Sequence, residues 1–254
     1  MNTQLDTQLR TLRLTGMQES LDVRLSAASH EKWTHTELLL RVFGDEIEHR
    51  QQRALNSRIR RAAIAPGKTL DQFDFAFNPH INRDIVNELA TCRFVEQKLA
   101  VIITGPSGTG KTHLAQALVN RACMVGHTAL YTTAAGLLAS LALAQAQNDY
   151  RRKLHALART PLLVIDDFGL KRLRDDGPEH FYDVIDSRYE VASTIITSNR
   201  ALDEWPELFG DPLLASSGLD RLFHRATVID ITGPSFRAKG RNTQPAKPSR
   251  NPKS

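Results

Sequence analysis

Hydrophobic and polar positions along the chain follow two successive rhythms. In the first 65 residues apolar side chains recur at helical spacing. Leu5, Leu9 and Leu12 form one set and Met17, Leu21 and Leu25 a second, with a break expected at Gly16. Thr34-x-x-Glu37 has the form of a capping box, in which side chain and backbone satisfy each other's amides at a helix start. It predicts a further helix to about Ala63. Residues 1–65 thus read as a small all-helical domain packed through leucines, with no reactive site in view. Pro66-Gly67-Lys68 breaks the pattern and marks a boundary, followed by a linker over 66–80. Phe73, Phe75 and Phe77 bunch within it; they are expected to pack between domains, the alternative being a place beside a nucleotide base.

From residue 81 the rhythm changes. A helix predicted over 81–97 leads into five short apolar runs at 99–103, 128–132, 162–165, 193–197 and 227–231. Helical stretches separate them, at 134–146, 148–159 and about 178–191, with two short helices before the last run. Buried strands alternating with helices predict an α/β domain over 81–236, doubly wound around a mostly parallel sheet. Functional groups in such a sheet gather at the carboxyl ends of the strands.

The chemistry-bearing residues fall at those ends. Residues 105–112 read GPSGTGKT and follow the first apolar run directly, the strand-to-helix position of a phosphate-binding P-loop. Gly105, Gly108 and Gly110 allow the tight turn, so that the loop they form with Pro106, Ser107 and Thr109 aims backbone N–H groups at phosphate oxygens. Lys111 neutralises phosphate charge, and the Thr112 hydroxyl can ligate Mg²⁺. The run Leu162-Leu-Val-Ile165 ends in Asp166-Asp167, a Walker-B pattern. Asp166 is expected beside the metal, with Asp167 free to polarise the attacking water. Asn199 ends the next strand, within reach of that water and the γ-phosphate. Arg221, in LDRL, is a candidate arginine finger.

Composition narrows the class. The 254 residues are 41% hydrophobic, enough for one α/β domain with a small appendage. No apolar run approaches the ~18–20 residues of a membrane span, and the start, MNTQLDTQLR, has no apolar signal core. Cys92 and Cys123 are far apart, and the nine histidines show no metal-ligand spacing. The expectation is a cytoplasmic protein with no membrane partner. Net charge is +5, yet residues 237–254 alone hold six Lys/Arg and no acid, leaving the remainder near −1. Residues 49–70 are likewise basic and acid-free. Two basic segments flanking a neutral nucleotide domain suit either a solvated surface or contact with nucleic-acid phosphates.

GPSGTGKTHLAQAL, LLVIDDFG, RYE…STIITSN, LDRLFHR and GPSFR, in this order, resemble the IstB family of insertion-sequence transposition helpers. That family is similar to the DnaC helicase loaders and the DnaA initiators among AAA+ ATPases. The resemblance runs to about residue 240. It implies an AAA+ sheet of the ASCE type behind the helical N-terminus. It further implies ATP and Mg²⁺ as cofactors, and homo-oligomers on double-stranded DNA that serve a transposase encoded by the same element. It assigns Asn199 to sensor 1, Arg221 to an arginine that reaches a neighbouring subunit's ATP, and Arg237 to a sensor-2-like contact with phosphates. It places Arg151, Arg152 and Lys153 in a DNA-facing insertion. Two features depart from common AAA+ patterns. Asp167 is one methylene shorter than the usual Glu, which predicts slow turnover, and little chain follows Ile231 for a helical lid. The competing readings are a DnaC-like helicase loader that prefers single strands, a scaffold in which ATP is only structural, and a small-molecule kinase, for which no substrate pocket is legible.

Overall fold

The computed structural model describes residues 3–79 and 81–236. The chain divides into two compact units, Met1–Arg58 and Ile59–Ser254.

The first unit is helical: α1 (Thr3–Thr11), α2 (Thr15–Glu31) and α3 (His35–Ala62), the last running past the division. Leu9, Met17, Leu21 and Val42 form its small core. The capping box closes as expected: the Glu37 amide donates to Thr34 Oγ1 at 3.2 Å, and the Thr34 amide to Glu37 Oε2 at 2.8 Å. The expected break at Gly16 is not there. The chain turns at 12–14, with Arg13 in the left-handed region at φ 56°, and Gly16 lies in the first turn of α2. Its glycine serves packing instead. A Cβ there would stand 2.6 Å from His49 Cβ and 2.9 Å from the Asp45 carbonyl oxygen, so α2 and α3 cross where no side chain fits. Glu46, buried at the same crossing, accepts from the Met17 amide at 3.1 Å, one of the orphan donors at the start of α2.

The second unit is α/β. The predicted single helix over 81–97 is split into α4 (Arg83–Ala90) and α5 (Arg93–Glu96) by Cys92, a non-glycine residue at φ 62°. Then follow β1 (Val101–Thr104), α6 (Lys111–Met124), β2 (Ala129–Thr133), α7 (Ala134–Ala146), α8 (Tyr150–Ala158) and β3 (Leu162–Phe168). The unit ends with α9 (Gly177–Arg188), β4 (Ser193–Ser198), two 3₁₀ turns, α10 (Pro212–Phe223) and β5 (Thr227–Asp230). The sheet has the order β2-β3-β4-β1-β5, with every pairing parallel. β1, β3 and β4 are buried along nearly their whole length, which explains why they read as continuous apolar runs.

The register sets the site. Thr104 pairs Ser198 across β1 and β4, so the P-loop and Asn199 leave the sheet at one level, and β4, which carries Asn199, lies between β1 and the acids of β3. Between Ile165 and Phe168 the ladder slips: β3 spends three steps where β4, from Ile196 to Ser198, spends two. This is a bulge, and Asp167 takes the left-handed conformation within it at φ 57°. Phe168 anchors the bulge from below, stacked on Phe181 at 4.5 Å between centroids and tilted against Trp205 at 4.7 Å. Behind β4, the buried Arg188 guanidinium donates to the carbonyls of Leu157, Thr160 and Ser193 and to Thr194 Oγ1, tying α8 and α9 to the strand. Burial alone pushes its pKa down to about 9, which leaves it charged at neutral pH.

Candidate functional site

A cleft of about 640 Å³ opens over the carboxyl ends of the strands. The P-loop forms its floor. At Gly105, φ +137°, a Cβ would run into the carbonyl oxygen of Ile231, so the turn and the close approach of the chain after β5 both require glycine. Lys111 is only 5% exposed. Its ammonium donates to the carbonyls of Gly105 at 2.6 Å and Pro106 at 2.8 Å, which sets the charge within the loop's concavity. Lys111 also opens α6, whose N-terminal end adds positive potential at the same place.

Asp166 is 2% exposed and is surrounded by hydroxyls. Thr112 Oγ1 lies 3.1 and 3.0 Å from its two oxygens, Tyr131 donates to Oδ2 at 2.5 Å, and Thr197 donates to Oδ1. The Thr112 hydroxyl beside a fixed carboxylate is a hard-oxygen donor set that fits Mg²⁺. Burial first, and the hydrogen bond to Asp166 second, raise the Tyr131 phenol well above its ordinary pKa, so it stays a donor. Thr197 also accepts from the Asp167 amide at 3.0 Å and thereby couples the two acids.

Asp167 and Asn199 both line the cleft with residues 107–112. The turn carrying Asn199 is pinned to β3. Ser198 Oγ donates to the Phe168 carbonyl at 2.7 Å and accepts from the Arg200 amide at 3.1 Å, while Arg200 Nε donates to the Gly169 carbonyl at 2.7 Å. The far wall is aromatic. Phe73, Phe77 and Phe236 line it, with Phe77 and Phe236 edge to face at 4.9 Å and Phe73 against the His113 ring at 5.4 Å. Packing between domains was the expected role for the linker phenylalanines. Phe73 and Phe77 lie instead on the P-loop cleft, since Gly110 has no side chain and Phe73 fits within 3.0 Å of where its Cβ would be. Burial lowers the His113 pKa, which favours the neutral ring beside them.

The other expected residues lie elsewhere. Arg221, on α10, lines a separate pocket with Lys98, His224 and Arg225, at the end of the sheet where β1 and β5 begin. Arg151, Arg152 and Lys153 sit on α8, and Arg152 forms a bidentate pair with Asp149 at 2.6 and 2.7 Å. Arg237 lies outside the described residues. Sequence reasoning passed over Tyr131, Thr197, Ser198 and Arg200. Their one signal is place, since Tyr131 and Thr197 belong to the strands on either side of β3.

The sequence pattern of the IstB-like ATP binding protein family matches residues 7–244. A protein of insertion sequence IS21 from Pseudomonas aeruginosa, named as ATP-binding, is 37% identical over 93% of this chain and 89% of its own length. Among solved structures, AMPPCP-bound DnaA from Aquifex aeolicus superposes with a TM-score of 0.55 at 22% identity, over 66% of this chain and 51% of that one. The DnaC helicase loader does so with a TM-score of 0.51 at 24% identity, over 58% and 86%. The two structural likenesses carry the fold alone, a parallel α/β sheet with its helices. The chain belongs to the IstB-like ATP-binding family.

Proposed function

We propose that this IstB-family chain is an ATPase that assembles on duplex DNA when loaded with ATP and assists the transposase of its insertion sequence. One observation carries the reading. Lys111, Thr112, Asp167 and Asn199 line one cleft, with Asp166 hydrogen-bonded to Thr112 beneath it, whereas Arg221 lines a pocket at the opposite strand ends. An arginine so placed can complete only a neighbour's site, which requires head-to-tail packing of subunits.

Residues 105–112 cradle the phosphates and Lys111 offsets their charge; Mg²⁺, which Thr112 and Asp166 would hold, would supply further neutralisation of that charge. Asp167 accepts a hydrogen bond from the attacking water and draws on its proton, and Asn199 orients that water against the γ-phosphate. Phe73, Phe77 and Phe236 offer apolar faces to the base. Arg221 of the adjacent subunit stabilises charge on the transferred phosphoryl, so hydrolysis follows assembly. In this reading ATP favours the DNA-bound assembly and hydrolysis releases it.

The division of labour extends to the rest of the chain. Residues 1–65 supply contacts between subunits, with DNA or with a partner protein, and the exposed row Leu39, Phe43 and Ile47 on α3 supports a protein contact. Residues 66–80 link the helical domain to the ATPase domain at 81–236. Arg151 and Lys153 on α8 face the DNA backbone, and the six Lys/Arg of residues 237–254, among them the Arg237 expected near the nucleotide phosphates, add positive charge to the chain. Affinity would then be insensitive to sequence and fall steeply with salt.

The test is binding to random-sequence duplex and to single strands, with ATP, ADP or neither, for the wild type and Lys111→Ala. Cooperative duplex binding that needs ATP and is lost in the variant is expected. Preference for single strands would move the assignment to a helicase loader. Binding independent of nucleotide would refute the assembly mechanism.

A further inference from the structure

The trans role proposed for Arg221 poses a physical problem. A long flexible side chain must be in place before a neighbour's nucleotide docks, or each docking event must bear the loss of its rotamer freedom. The surroundings of Arg221 answer it. Its Nη1 donates to the Ser217 carbonyl at 2.9 Å and to Ser217 Oγ at 2.5 Å, one turn back along α10. Its Nε lies 2.9 Å from Asp186 Oδ1 on α9. Its guanidinium carbon sits 5.5 Å from the centre of the Tyr182 ring, one turn before Asp186 on the same helix. Two of the three nitrogens are thus held from behind.

The pair is also at the surface, with the Arg221 side chain 33% and that of Asp186 49% exposed. An ion pair so placed adds little stability, so its stabilising value does not account for the arrangement. It does fix a direction. With Nε and Nη1 engaged among the described residues, the two N–H groups of Nη2 are left to meet an incoming anion, on a surface that also carries Lys98 and Arg225.

We infer that Asp186 is a positioning residue for the reaction: with Ser217 and Tyr182 it holds Arg221 ready to enter the site of the next subunit. The inference rests on the trans reading of Arg221 given above. Arg221 does the charge stabilisation, worth about 10³–10⁵ in turnover for an arginine finger. Asp186 contributes only what pre-ordering one side chain contributes, so Asp186→Ala is expected to lower DNA-stimulated turnover about three- to tenfold. Asp186→Asn, which keeps an acceptor for Nε, should recover part of the loss.

The defect must act in trans, and mixing experiments read that directly. Asp167→Asn supplies subunits with intact fingers and a hydrolysis-deficient site. Titrating it into Asp186→Ala is expected to raise turnover per Asp186→Ala subunit towards wild type, because each competent site then meets an intact finger. Affinity for a fluorescent ATP analogue should be unchanged in Asp186→Ala. Arg221→Ala, mixed with Asp167→Asn in the same way, tests the reading beneath. If neither variant is rescued, the trans finger falls and this inference with it. If Arg221→Ala is rescued and Asp186→Ala is not, or if Asp186→Ala loses affinity for the analogue, Asp186 serves its own subunit and this inference alone is overturned.

Discussion

The hydroxyl cage around Asp166 gives a sharp quantitative expectation for Tyr131→Phe. The substitution deletes one O–H donor and keeps the ring, so no cavity opens. A hydrogen bond to a charged group contributes about 1.5–3 kcal/mol. Asp166 retains Thr112 and Thr197 as partners, which places the loss near the lower end, about 1.5–2 kcal/mol. For a domain of this size that is a fall in midpoint of about 3–8 °C. The phenol's raised pKa sets the pH dependence. A group held protonated in the folded state contributes stability that is fully present below its unfolded pKa and is lost as pH rises through the folded value. The gap between variant and wild type should therefore be constant from pH 6 to 9 and narrow above about pH 10. Urea denaturation followed by near-UV circular dichroism measures it, with Tyr189→Phe as control, since that phenol reaches only the exposed ring of His224. A second readout concerns the metal: ATP affinity should become less dependent on Mg²⁺ while affinity in chelator stays the same. If Tyr131→Phe matches the control in stability and leaves the Mg²⁺ dependence unchanged, the phenol does not position Asp166.

Two further outcomes test the helical unit. Gly16→Ala places a methyl where α2 and α3 touch, and overpacking there should cost about 1–3 kcal/mol in thermal unfolding; an effect below half a kcal/mol would mean the helices do not cross so closely. The Arg24 guanidinium, hydrogen-bonded at 2.6 and 2.8 Å, holds the Asp45 carboxyl down from 3.8 to about 2. Its contribution is thus present above pH 4 and lost as pH falls through 2. The partners are partly exposed, so the effect is small, and Asp45→Asn should flatten that part of the acid limb in urea midpoints taken from pH 5 to 2.

What could be read from the chain depended on how local its cause was. The strands were legible because both faces of β1, β3 and β4 are buried, leaving no polar alternation to confuse the pattern. The P-loop was legible because phosphate binding by backbone demands glycines at fixed spacing within eight residues. Gly16 misled because glycine marks both a break in the chain and a close approach of helices, and only the partner helix, about thirty residues on, tells which. The split of the 81–97 helix was hidden because Cys92 takes a left-handed conformation that its side chain does not announce. Phe73 and Phe77 misled for the same non-local reason: burial in a core and lining of a cleft ask for the same side chain. Tyr131 and Asp186 act through partners 35 residues away in sequence, at Asp166 and Arg221. Neither pairing leaves a periodic trace.

The same distinction bears on Asp167. Read along the sequence it is an acid one methylene too short, and slow turnover follows if the strand runs straight to its end. The strand does not run straight. The bulge inserts a residue at this point, and Asp167 adopts φ 57°, a conformation in which Asp and Asn are several-fold enriched over longer side chains. For an L-residue other than these, the left-handed region costs roughly 1–2 kcal/mol, so a short acid is the one this backbone favours. The turn also re-aims the side chain into the cleft lined by Asn199 and the P-loop, and the hydrogen bond its backbone N–H donates to Thr197 Oγ1 holds the turn there. Reach toward the attacking water is therefore set by the direction of the bulge together with side-chain length. Backbone and side chain have to be weighed together before a shorter acid is taken to mean a slower enzyme.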